Sequence, residues 1–182
     1  METSTSLKSV LKRLRLSGIL DTLVDRTTYA AKNKLGYEEF LELVLQDEID
    51  RRDQVGLQLR LQNAQFQEEQ TLENFNWDAP VTFNRSRVKQ LFGLHFMGAK
   101  EDVAFLGPTG VGKTFLASAL GHAVCRLGKK VLFVRADKMC KEMNQSRADN
   151  SRDRTIRKFL APDLLIIVTS LSEGDAEFAA AM

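Results

Sequence analysis

The chain has 182 residues, 43% hydrophobic and 27% charged, with a net charge of +2 at pH 7, so it has room for one sizeable core and a small appended module. No apolar run approaches the roughly 18 residues of a membrane span, and Met1 to Ser6 lead into no signal-peptide core. Cys125 and Cys140 stand in no metal or disulfide spacing, which excludes a cysteine-stapled scaffold and leaves a soluble, cytoplasmic protein with no membrane partner as the expectation.

The first 70 residues read as an all-helical domain. Ser6 is placed to cap a helix carrying Leu7, Val10, Leu11 and Leu14, and Ser17-Gly18 interrupts it before Ile19, Leu20, Leu23 and Val24 resume the apolar face. Gly36 breaks the pattern again, and a longer helix is expected from Tyr37, with Phe40, Leu41, Val44 and Leu45 on one side. From Asp47 to Gln70 the residues are polar, the pattern of an exposed or partner-facing helix. Lys8, Lys12, Arg13 and Arg15 lie within two turns, which suits either phosphate contact or a solvated helix face.

Residues 71–83 read as an extended linker containing Phe75, Trp77 and Pro80, whose rings need a surface on the next domain. Asn84 is a good cap for a helix through Val88, Leu91 and Phe92, ending at a structural His95.

Gly107-Pro108-Thr109-Gly110-Val111-Gly112-Lys113-Thr114 fits G-x-x-x-x-G-K-[ST], the phosphate-binding P-loop. An apolar stretch of strand type, residues 103–106, precedes it, and a run of helix formers from Phe115 to Leu120 follows. The chemistry needs that order: glycines let successive amides converge on phosphate oxygens, and the helix start adds its positive end. Residues 107–115 are thus the expected ATP contacts, with Lys113 on the β- and γ-phosphates and the Thr114 hydroxyl on Mg²⁺.

Beyond a stop at Gly128, Val131 to Val134 reads as a buried strand, so strand, helix and strand form a parallel βαβ unit. Asp137 is placed to cap the next helix, whose apolar side is Met139, Cys140 and Met143. From Arg135 to Lys158 eight basic side chains face four acidic ones, and residues 144–154 read as a polar loop. Arg147, Arg152, Arg154 and Arg157 are the candidate DNA contacts; a solvated connection with internal ion pairs is the other reading. Leu164 to Ile167 forms the third strand, but Val168, Thr169 and Ser170 follow where a magnesium-holding acid belongs.

The chain resembles the IstB-like ATP-binding proteins, helper ATPases of insertion-sequence transposition related to the DnaC-type helicase loaders of the AAA+ superfamily. The resemblance runs through Leu14 to Gly18, Phe40 to Leu43 with Asp47 to Ile49, Phe75-Asn76-Trp77-Asp78, Leu106 to His122, Lys130 to Asp137 and Pro162 to Ile167. It implies an α/β fold: a small all-helical domain (1–70), a linker (71–83) and a P-loop NTPase core of AAA+ type with a parallel sheet (84–167). It further implies ATP and Mg²⁺ as cofactors, and DNA, a transposase of the same insertion sequence and further copies of the chain as partners. The family pattern has two aspartates at Val168 and Thr169, then more sheet, a sensor, an arginine finger and a lid. Residues 168–182 instead read as an out-of-family tail, so the expected core is C-terminally incomplete. In the family's strand order a later strand separates the loop's strand from the third one, so the sheet is expected to lack its middle. An ATP- and DNA-binding protein that does not hydrolyse ATP is the resulting expectation; Glu173 and Asp175 are poorly placed substitutes for the missing acid. A helicase loader in DNA replication and an inactive fragment are the alternatives.

Overall fold

The computed structural model describes residues 4–77 and 84–169; Asp78, Pro80, Glu173 and Asp175 lie outside them. The chain divides into two compact units, Met1–Gly56 and Leu57–Met182.

The first unit contains α1 (Thr5–Arg13), α2 (Ser17–Asn33) and most of α3 (Tyr37–Ala64). Leu11, Ile19 and Val44 are buried together, with Leu16, Leu20, Leu23 and Phe40 packed around them. The turn into α3 is closed locally: Lys34 takes a left-handed φ of 54°, and the Gly36 amide donates to Glu39 Oε2 at 2.8 Å. Gly18 does not break a helix as its sequence position suggests. The break falls at residues 14–16, and Gly18 sits in the first turn of α2.

Its role there is electrostatic. Leu16, which precedes α2, has no polar side chain with which to cap it, and the Gly18 amide instead donates to Glu48 Oε2 of α3 at 2.7 Å. Glu48 is only 2% exposed, so its charge must be matched. Arg51 Nη2 at 2.9 Å and Arg52 Nε at 2.8 Å match it, and Arg52 also donates to the Arg15 carbonyl at 2.9 Å. A Cβ on Gly18 would lie 2.6 Å from that carboxylate and 2.5 Å from Arg51 Nε. One carboxylate therefore ties the start of α2 to the middle of α3. A second pair, Arg26 on Asp47 at 2.8 and 2.6 Å, joins the same two helices.

The second unit has a parallel pair, β1 (Val131–Arg135) and β2 (Leu164–Val168), in register from Val131–Leu164 to Arg135–Val168. Side chains alternate across it, as a two-sided sheet requires. Val131, Phe133 and Ile166 face α6 (Lys113–Arg126), whose Ala117, Val124 and Cys125 are buried against them. Leu132, Val134 and Leu165 face α7 (Ala136–Ala148) and α8 (Arg152–Leu160) through Met139, Met143 and Phe159. The end of α3 belongs to this unit: Leu57, Leu61 and the fully buried Ala64 pack into the α6-side core, where the sequence reads as an exposed or partner-facing helix. Cys140 is exposed rather than buried with Met139 and Met143, whereas Cys125 is buried and its thiol is pushed up by that burial.

Several expected elements differ. Residues 103–106 form no strand, because a strand needs a hydrogen-bonded neighbour and none lies beside them among the described residues. They and β2 line the same cavity of about 430 Å³, a gap where a ladder would run. His95 does not end α4 (Arg85–Leu91) but opens α5 (His95–Ala99). Residues 144–154 are not a loop: α7 runs through Ala148 and α8 starts at Arg152. Asp137 lies inside the first turn of α7, paired with Arg135 at 3.0 Å. Asn84 does cap α4, accepting from the Arg87 amide at 3.0 Å.

The Glu48 contact makes the first unit acid-sensitive. Hydrogen bonding from Arg51, helped by Arg52 and Gly18, holds the carboxyl from its ordinary 4.5 down to about 2, against the opposing effect of burial. It stays ionised in the folded unit to a lower pH than in the unfolded chain. The stabilisation is full above about pH 4.5 and is lost as pH falls toward 2. Glu48→Gln is expected to cost about 1.5–3 kcal/mol at pH 7, the range for charged hydrogen bonds, and to flatten that acid limb in urea melts followed by circular dichroism. Equal stability of both proteins at pH 7 would contradict this role.

Candidate functional site

The glycines of residues 107–112 are required by their backbone. Gly107, Gly110 and Gly112 have φ of 153°, 84° and 88°, angles that an L side chain rarely adopts. They carry the chain from residues 103–106 into α6, whose first helical bond joins the Leu116 amide to the Gly112 carbonyl at 3.0 Å. The amides of Lys113, Thr114 and Phe115 precede that bond and have no intrahelical acceptor, so α6 presents donors and its positive end to the loop.

Lys113 lies across the loop. Its Nζ donates to the Gly107 carbonyl at 2.8 Å and to the Pro108 carbonyl. Residues 107–110 are exposed, Val111 and Gly112 are half-buried, and a Cβ on Gly110 would meet nothing within 4 Å. The loop is therefore open to solvent, with one ammonium held across it and the unpaired first amides of α6 beside it. That donor set fits a polyanion such as the phosphates of a nucleotide. Thr114 is exposed at the start of α6, and its hydroxyl is available to a cation carried by such a ligand. Among the described residues no cluster of three or more His, Cys, Asp or Glu could hold a metal by itself.

The cavity of about 430 Å³ beside the loop is lined by Lys113 and Thr114 together with Val168 and Thr169 at the end of β2. The structure thus brings together the two segments that sequence reasoning relates, the loop and the end of the last strand. Neither residue at that end carries a carboxylate. Glu101 and Asp102 also line the cavity, but they stand five or more residues upstream of the loop.

The linker aromatics form the other flank. Residues 71–77 are not simply extended: a 3₁₀ turn at Leu72–Asn74 leads to Phe75, whose ring lies 5.4 Å from Phe115 and 5.0 Å from Trp77. The Phe75 edge would be 3.3 Å from a Cβ on Gly112, so the last loop glycine is closely covered. Two further residues carried no sequence signal. Phe66 stacks on His122 at 4.2 Å, and its ring edge lies 2.7 Å from where a Cβ on Gly121 would be, as does Ile166. Gly121 therefore lets β2 and the end of the α3 segment approach α6. Burial keeps His122 below its ordinary pKa.

The four arginines suggested as DNA contacts are all exposed. Arg147 lies in the last turn of α7; Arg152, Arg154 and Arg157 lie on α8, with Arg154 and Arg157 three apart on one face. The nearby Lys158 is engaged by Glu142 at 2.5 Å.

Residues 9–173 match the family model described as IstB-like ATP binding protein. A protein from Mycobacterium tuberculosis, described as an ATP-binding protein in an insertion sequence, is 38% identical over 89% of this chain and 64% of its own length. One from Pseudomonas aeruginosa, described as an ATP-binding protein of insertion sequence IS21, is 36% identical over 88% of this chain and 60% of its own. A third, from Geobacillus stearothermophilus and insertion sequence IS5376, is 28% identical over 85% and 62%. The chain therefore spans less than two thirds of the length of each of these relatives. No helix among the described residues is long and apolar enough to cross a membrane.

Proposed function

The chain belongs to the family of IstB-like ATP-binding proteins, and from that premise we propose that it binds ATP with Mg²⁺ at residues 107–115 and acts on DNA in insertion-sequence transposition. The observation that carries the reading is the loop: three glycines at positive φ, followed at once by Lys113 and the free amides at the start of α6. That loop supports a P-loop reading, and the two parallel strands with helices on both faces support an AAA+ core. Lys113 would exchange the Gly107 and Pro108 carbonyls for β- and γ-phosphate oxygens. The amides of Gly110 to Phe115 would hold the remaining oxygens, and the Thr114 hydroxyl would ligate the cation. When bound, Mg²⁺ supplies charge neutralisation between the phosphates.

DNA is bound through phosphate contacts on α8 and the end of α7, supported by the exposure of Arg147, Arg152, Arg154 and Arg157. The transposase of the same insertion sequence is the proposed protein partner, on the strength of the relatives' insertion-sequence origin.

Hydrolysis is a separate matter. Phosphoryl transfer needs the cation held from the strand side by an acid as well as by the loop hydroxyl, and β2 delivers Val168 and Thr169 there. The chain binds ATP without turning it over.

Calorimetry is expected to show ATP–Mg²⁺ binding, with Lys113→Ala weakening it by about 1.5–3 kcal/mol for the lost charged contact. Equal affinity of the two proteins would refute the site. Trp77 is the only tryptophan and reaches Gly112 through Phe75, so its emission should change on nucleotide addition. In a phosphate-release assay, with or without DNA, the chain should not exceed the Lys113→Ala control; DNA-stimulated turnover abolished by that substitution would show that a carboxylate outside β2 completes the site. Neutralising Arg152, Arg154 and Arg157 together should lower the salt slope of DNA binding by up to about three, one for each lost phosphate contact. An unchanged slope would return α8 to a solvated face.

A further inference from the structure

In the second unit, β2 is paired along one edge only. β1 takes that edge in register, and among the described residues no backbone hydrogen bond reaches the other. Val103, Ala104 and Phe105 line the same cavity as the free edge. Val103 and Phe105 are half-buried while Ala104 and Leu106 are exposed, the alternation of a strand without its ladder. Along the five residues of β2, roughly 16 Å at about 3.3 Å each, the cavity's volume of about 430 Å³ is about 5 Å across. Neighbouring strands stand roughly 4.8 Å apart, so the space has the cross-section of one backbone.

Phe96, Ala117 and Leu120 give the cavity an apolar floor of side chains from α5 and α6, while Ile167 on β2 is left 49% exposed. A small apolar molecule would cover these side chains yet leave the backbone groups of both walls unpaired. An extended peptide would pair with both. Charge sets its direction. Both walls run toward the loop, so Lys113 marks one end of the cavity, and Glu101 and Asp102 mark the end away from it. Those two carboxylates are exposed and, among the described residues, enter no ion pair.

We propose that this cavity is a slot for one extended strand of another polypeptide, running parallel to β2, with its basic amino-terminal end beside Glu101 and Asp102. Alternate apolar side chains of that strand lie on Phe96, Ala117 and Leu120, and its backbone bonds to β2 on one side and to residues 103–106 on the other. Main-chain bonds supply the affinity of such an added strand, and the alternate side chains supply its selectivity. The slot is built from β2, α5, α6 and residues 101–106, so it needs neither nucleotide nor DNA and does not rest on the reading of the loop.

Binding of the fluorescently labelled peptide acetyl-Lys-Lys-Val-Thr-Val-Thr-Val-amide to the full chain, without nucleotide or DNA, tests this. The peptide should bind in the micromolar range, and the amides of residues 103–106 should gain protection from hydrogen exchange. Methylating its valine amides keeps every side chain but removes ladder donors, and should weaken binding about tenfold or more. Glu101→Lys combined with Asp102→Lys should weaken binding by a similar factor and favour acetyl-Glu-Glu-Val-Thr-Val-Thr-Val-amide instead, which also shows that the variant is folded. A chain that does not bind the lysine peptide, or binds its methylated form equally well, would overturn the proposal. So would equal binding of acetyl-Val-Thr-Val-Thr-Val-Lys-Lys-amide, since the strand would then have no set direction. Residues 103–106 that are already protected before peptide is added would overturn it too, because the chain itself or a second copy would then fill the slot.

Discussion

The structure of the second unit depends on one constraint: α6 must be buried almost from its second turn onward while its first turn stays open. Nine of its fourteen residues are buried, from Leu116 to Cys125, yet Thr114 is exposed and Lys113 donates to loop carbonyls. The loop glycines reconcile the two demands. Because Gly107, Gly110 and Gly112 accept positive φ, the chain can turn into α6 without side chains covering the first amides. The rest of the unit is arranged around the buried part. β1 and β2 lie on one side, Phe66 closes over Gly121, and Phe75 covers Gly112. The anion-binding end and the core are thus two ends of the same helix.

The first unit is organised by charge as much as by its small core. Three buried aliphatics alone make a thin core for a three-helix packing, and Glu48 adds a directional tie between α2 and α3. Satisfying that carboxylate uses Arg51 and Arg52, and among the described residues Glu38 and Glu42 of α3 and the bases of α1 enter no ion pair. A charge pattern that its own fold does not neutralise is available to other molecules.

What was legible in the sequence depended on how local its cause is. The glycine backbone of residues 107–112, the cap at Asn84, the helix stop at Gly128 and the buried strand β1 come from neighbouring residues, and the structure forms each of them. The methionines of α7 also lie on its apolar side as their spacing indicates. What failed depended on distant partners. Residues 103–106 have strand composition, but a strand forms only beside another, and a cavity lies there instead. The polar run at residues 144–154 reads as a loop because its residues are poor at covering a core; α7 and α8 form because Met139, Met143 and Phe159 anchor them on the sheet. Leu57, Leu61 and Ala64 look like scattered apolar positions in an exposed helix until α6 is placed beside them. Phe66 and Gly121 offered no signal, since a glycine in a helix shows its purpose only through the ring that approaches it.

The central claim is that the amides opening α6, with Lys113, hold the phosphates of ATP. Amide hydrogen exchange of the full chain, with and without ATP–Mg²⁺, measures those amides directly. The account predicts new protection concentrated in residues 107–116, with a smaller change at residues 75–77 through the Phe75 contact on Gly112. Exchange at residues 107–116 that is unaltered by saturating nucleotide, or protection confined to another part of the chain, would contradict it.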